Sequence, residues 1–129
     1  FAIDGGNVKC NKAGWYLLYI HNGSERTFTV LEPNVYLIGD TAGEWNVADS
    51  HKFTVPTTED GVFESPAFAN DAELRMCVSI DNFDWWKTEF IIFDGNIAYR
   101  GRGGDQERVA VKAGQKAYLN FAKGTGEIK

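Results

Sequence analysis

EFIIFDGNIAYR, residues 89–100, decides the fold class. Two apolar runs flank Asp94-Gly95, a pair suited to the left-handed backbone of a two-residue hairpin turn. Side chains alternate between faces along an extended chain, so Glu89–Phe93 and Asn96–Arg100 read as paired antiparallel strands. The same period recurs on both sides. Trp15–His21 (WYLLYIH) and Arg26–Leu31 form a predicted hairpin about Asn22-Gly23. Glu32-Pro33-Asn34 breaks the chain before VYLIG at 35–39, and further strands are expected over Lys52–Val55, Val62–Ser65 and Glu73–Ile80. In the last of these, Leu74, Met76, Val78 and Ile80 share one face; Glu73, Arg75, Cys77 and Ser79 take the other. Arg108–Lys112 and Lys116–Ala122 complete the series, with Val109, Val111, Ala117, Leu119 and Phe121 inward. No segment carries a helical stripe. Short strands separated by turn signals predict an all-β fold, an antiparallel β-sandwich of the immunoglobulin-like or carbohydrate-binding-module type. A length of 129 residues suits one domain. Within it, 1–33 reads as a leading hairpin or connector and 34–129 as the sandwich proper.

Composition narrows the partners. A net charge of −5 repels nucleic acid and anionic lipid, so a neutral ligand is the easier match. No apolar run approaches the ~20 residues of a membrane helix. Four Trp, five Tyr and nine Phe exceed what strands and turns require, which places some rings on the surface. The chain begins at Phe1 without an initiator Met or a leader and reads as an excised piece of a longer protein. Cys10 and Cys77 permit one disulfide, which would contribute ~4 kcal/mol across so long a loop. Two free thiols, at least one of them packed, is the alternative.

Little in the sequence supports catalysis. RGRGGDQ, residues 100–106, lacks the helix that a phosphate-cradling loop needs behind its glycines. The alternating Glu107–Val111 follows instead, so the run is a glycine-permitted bend between strands. Asp81, Asn82 and Asp84 lack the spacing of a calcium loop and form an Asx-rich turn. His21 and His51 have no Cys or His neighbours at ligand spacing, so no metal site is expected, and no cofactor. No pair of carboxylates is marked as acid and base.

The aromatics remain. Trp45 stands in a polar loop, DTAGEWN (40–46), and two adjacent indoles stand in FDWWKTEF (83–90). If the latter segment is extended, Trp85 and Trp86 point to opposite faces. Both faces are partly apolar, so parity alone leaves open which ring is exposed. The uncharged run through Phe90 and Ile92 favours Trp86 as core and Trp85, on the parity of Lys87, as platform. An indole beside Lys, Asp or Asn suits a sugar, whose apolar face stacks on the ring while polar groups take the hydroxyls.

VYLIGDTAGEWN (35–46), DWWKTEFIIFDGNIAYRGRGGDQERVAVKAGQKAYLNF (84–121) and the hairpin GWYLLYIHNGSERTFTV (14–30) resemble the carbohydrate-binding domains of SusE/SusF-type lipoproteins. Those proteins belong to the starch-utilisation system of Bacteroidetes outer membranes. The resemblance implies a β-sandwich that binds starch or maltooligosaccharide without catalysis. It also implies outward display on the outer membrane, through a lipid anchor outside this chain, beside other glycan-uptake proteins. Carried over by position, the glycan-binding residues are Trp45, Trp85 or Trp86, and Lys87 as the basic helper. The alternative is a structural spacer or assembly module of the same lipoprotein, with the Trp rings as plugs.

Overall fold

The computed structural model describes residues 1–129. Two hairpins lead. Strands β1 (Ala2–Asp4) and β2 (Asn7–Lys9) pair with each other, as do β3 (Leu17–Asn22) and β4 (Arg26–Leu31). The β3–β4 hairpin is the expected one, but its turn differs. Asn22 pairs with Arg26, so Gly23, Ser24 and Glu25 make the connection. This register sets Ile20 opposite Phe28 and Leu18 opposite Val30. A two-residue Asn22-Gly23 turn would break those apolar pairs, and cross-strand packing outweighs the turn signal.

The main sheet is antiparallel throughout. It uses β5 (Val35–Leu37), β6 (Phe63–Glu64), β8 (Met76–Val78), β9 (Glu89–Phe93), β10 (Asn96–Tyr99), β12 (Ala117–Asn120) and β13 (Thr125–Ile128). Their spatial order is β5-β8-β9-β10-β13-β12-β6. The segment expected as a strand at 52–55 makes only two single-residue bridges, Lys52 to Tyr36 of β5 and Thr54 to Glu64 of β6. Those bridges join the two edges, so the layers of the predicted sandwich are halves of one curled sheet. Closing a sheet in this way removes exposed edge strands.

The hairpin that decided the fold class is present as read. Asp94 and Gly95 take φ of 51° and 75°, the doubly left-handed turn that matches the twist of two flanking strands. The long strand expected over 73–80 is split. Ala72–Glu73 (β7) pairs with Ala110–Val111 (β11), whereas β8 pairs with β5 and β9. The chain turns the corner at Leu74-Arg75 and keeps its alternation. Leu74 and Met76 enter the core, and Arg75 and Cys77 face outward from it.

Twelve buried residues form that core, among them Val35, Leu37, Phe53, Phe63, Met76, Phe90, Ile92 and Leu119. A smaller cluster of Tyr36, Ile38 and Cys77 lies on the other face of β5 and β8. Trp15 ties the leading hairpins to the sheet: its ring meets Phe63 edge-on at 5.3 Å and its Nε1 donates to the Thr58 carbonyl at 3.0 Å. Phe63 also meets Phe121 edge-on at 5.0 Å. Phe63→Ala is therefore expected to lower the unfolding free energy by about 3–5 kcal/mol, through lost burial and a residual cavity. Denaturant unfolding measures this; a loss below about 1 kcal/mol would remove Phe63 from the centre of the core.

Candidate functional site

Trp45 is carried by a braced loop. Gly39 opens it at φ +83° and donates its N–H to the Glu44 carbonyl at 2.8 Å. A Cβ on Gly39 would stand 3.0 Å from the Trp45 ring, so the indole lies directly on glycine backbone. His51, buried on a 3₁₀ turn at Asp49–His51, holds the loop from beneath. Its Nδ1 reaches the Asn46 carbonyl at 3.3 Å and its Nε2 the Glu44 carboxylate at 3.2 Å. Thr41 is fully buried, and its carbonyl accepts the Ala69 N–H at 2.7 Å. The loop leaves Trp45 half exposed at 50%.

Trp85 and Trp86 are not on a strand. Residues Trp85–Thr88 form a 3₁₀ turn, closed by Lys87 N–H to Asp84 carbonyl at 3.0 Å and pinned to β8 by Thr88 Oγ1 donating to the Val78 carbonyl at 2.6 Å. At three residues per turn neighbouring side chains diverge by roughly 120°, not 180°. Both indoles therefore reach the surface. Trp86, expected in the core, is 40% exposed; Trp85 is half-buried against Tyr36, Ile38 and Cys77. The core assignment of Trp86 is corrected, because the parity rule behind it holds only for extended backbone.

All three rings converge. Trp45, Trp85 and Trp86 line one shallow groove of about 400 Å³ with Arg75, Arg100 and Asp105. The Trp45 and Trp85 ring centroids are 5.5 Å apart with planes tilted at 48°. Arg75 stands 5.3 Å from the first ring and 5.5 Å from the second, and Arg100 is 5.5 Å from Trp86. Lys87 does not line the groove. Its Nζ lies 5.3 Å from the Trp86 ring and 3.8 Å from Asp84.

Beneath the groove is Glu89, whose side chain is fully buried. It accepts from Arg75 at 3.1 Å, Arg100 at 2.8 Å and Arg108 at 3.2 Å. Asp105 joins from the rim, 3.3 Å from Arg75 and also paired with Arg108. RGRGGDQ is thus the bend that was expected, and it also folds Arg100 and Asp105 back into an ionic network. Arg100 Nε is buried without a partner in the protein, an N–H donor beside the groove. Sequence reasoning missed Arg75, Arg100, Asp105 and Glu89. A signal existed for Glu89, which directly precedes the run FIIF and shares the parity of buried Ile91.

No group of three or more His, Cys, Asp or Glu side chains is placed to hold a metal ion. Cys10 is exposed and Cys77 buried, and both are free thiols. Burial, and secondarily the charge of Glu89, pushes the Cys77 thiol up to about 12.

Residues 34–127 match the family model described as SusF/SusE starch-specific CBMs. The chain belongs to this family of carbohydrate-binding modules. Carbohydrate-binding modules are non-catalytic, and the family description names no enzyme activity. The chain is 53% identical over 133 residues to the outer membrane protein SusF of Bacteroides thetaiotaomicron, covering 98% of this chain and 27% of that protein. The crystal structure of SusF from the same organism superposes with a TM-score of 0.92 at 52% identity, covering 98% of this chain and 30% of that one. The all-β architecture agrees with that match. The chain therefore spans less than a third of either relative.

Two outcomes follow from the geometry. Glu89→Ala strands three guanidinium groups around a buried void and is expected to cost about 3–5 kcal/mol in denaturant unfolding. A loss under about 1 kcal/mol would show that the arginines are held by other means. Thiol titration of the native protein at pH 8 is expected to label Cys10 rapidly and Cys77 only after denaturation, since the thiolate is the reactive form. Rapid labelling of two equivalents in the folded state would contradict the packing of Cys77.

Proposed function

We propose that this domain binds starch or maltooligosaccharide without catalysis, as one outward-facing module of a longer outer-membrane lipoprotein. The observation that carries the reading is the tilted Trp45–Trp85 pair on a single shallow groove. Each pyranose of a glucan has an apolar face that stacks on an indole. An α-linked glucan curves, so successive faces turn relative to one another, and two planes at 48° follow such a curve where a flat platform would not. Trp86 extends the platform, while Arg75 and Arg100 supply donors for hydroxyls at its edge. Lys87 acts at the outer rim behind Trp86. Glu89 and Asp105 offset the arginine charges, which suits a neutral ligand. Membership of a starch-specific family supports the choice of glucan, and the name of the SusF relative supports the outer membrane. The spacer reading needs plugged rings. The exposure of Trp45 and Trp86 argues against it.

Affinity electrophoresis through gels containing amylopectin or other soluble polysaccharides tests the proposal. Amylopectin is expected to retard the domain. Calorimetry with maltooligosaccharides is expected to give a Kd of roughly 10 μM to 10 mM, because a shallow platform buries few contacts. Trp45→Ala is expected to abolish retardation with little change in melting temperature. Trp85→Ala is expected to abolish it at a cost of roughly 1–2 kcal/mol, given its half-buried side. Unretarded migration of the wild type in every gel would reject glycan binding.

A further inference from the structure

Trp45 is a wall between two depressions. On one side is the three-ring groove. On the other is a second groove of about 370 Å³, bordered by Trp45, Arg75, Asp40, Asp71, Glu73 and Lys112. The two share Trp45 and Arg75.

The second groove is chemically unlike the first. It has no second aromatic ring, and its polar rim is carried by the short β7–β11 ribbon and the turns beside it. Asp71 is fixed in place although it is exposed: its carboxylate accepts the Ala113 N–H at 3.0 Å and Lys112 Nζ at 3.1 Å. These bonds, the backbone one first, hold its pKa below the ordinary carboxylate value. The Asp40 carbonyl is tied to Asn70 Nδ2 at 2.8 Å, which fixes the other bank. Three carboxylates against Lys112 and Arg75 disfavour an anionic ligand. A fixed Asp71 carboxylate, two further carboxylates and an ammonium donor beside one indole suit a neutral, hydroxyl-rich chain.

We infer that a glucan seated on the three rings continues past Trp45 into this second groove, where Asp71, Lys112, Glu73 and Asp40 take hydroxyls of sugar units beyond the stacked ones. The inference rests on the proposed starch-binding role and assigns the site a direction and a length requirement. The ring groove alone serves short oligosaccharides. The second groove rewards longer chains, since its Asp71 carboxylate is held in place before the sugar arrives.

Calorimetry with maltotriose and maltoheptaose, on the wild type and on the double variant Asp71→Asn with Lys112→Ala, tests this. Both residues are exposed, and equal melting temperatures would verify that the fold is intact. The wild type is expected to bind maltoheptaose about fivefold to tenfold more tightly than maltotriose, and the double variant is expected to lose that preference while binding maltotriose unchanged. A double variant that keeps the wild-type preference, or a wild type with equal affinity for both sugars, would overturn the second groove while leaving the ring platform standing. Absence of binding to either sugar by the wild type would instead overturn the platform, and the second groove with it.

Discussion

A single carboxylate organises the three-tryptophan groove. Glu89 is buried among three guanidinium groups, and each cation does something different. Arg75 reaches up between Trp45 and Trp85, Arg100 stands against Trp86, and Arg108 anchors the loop that brings Asp105 to the rim. Desolvating such charges offsets much of their attraction, so a network of this kind contributes less to stability than to geometry. Its effect is to fix the places of long, flexible arginine side chains before any ligand arrives. Immobilising them at the moment of binding would cost affinity, and here that ordering is already done.

The curled sheet supplies the frame for this network. Glu89 opens the interior strand β9, with Arg75 on the approach to one neighbour, β8, and Arg100 just past the other, β10. All of β9 except Phe93 is buried, because Phe90 and Ile92 face the core while Glu89 and Ile91 face outward under cover. A strand covered on both sides can hold a charge out of water only where partners converge on it. The corner at Leu74-Arg75 and the return of the 100–108 loop provide that convergence.

How much of this was legible in the sequence depended on range. The 89–100 hairpin was readable because its signals are local: alternation, and an Asp-Gly pair with both residues in the left-handed region. Strand β12 was readable for the same reason. Thr125–Ile128 was missed, since TGEI is short and holds a glycine, and its place is set by partners on both sides rather than by its own period. Trp85 and Trp86 were misplaced because a four-residue 3₁₀ turn leaves no periodic trace. The three site tryptophans could be singled out as unusual residues in unusual places. The arginines could not, since Arg75, Arg100 and Arg108 are ordinary surface types until strand register stacks them on Glu89. Lys87 is the basic neighbour of the paired tryptophans in sequence, whereas Arg75 and Arg100 are the basic neighbours of the groove in space.

The strand order also sets a timetable for synthesis. Strand β13 sits inside the sheet, between β10 and β12, although it comes after every other strand in sequence. Until it arrives, β12 and β6 have no partner linking them to β10, and the curl cannot close. The hairpin of β9 and β10 can pair as soon as it is made, but the enclosed core must wait for residue 128. Closure of the sheet therefore depends on β13, which pairs locally with β12 and reaches back to β10 at Asn96 and Thr125.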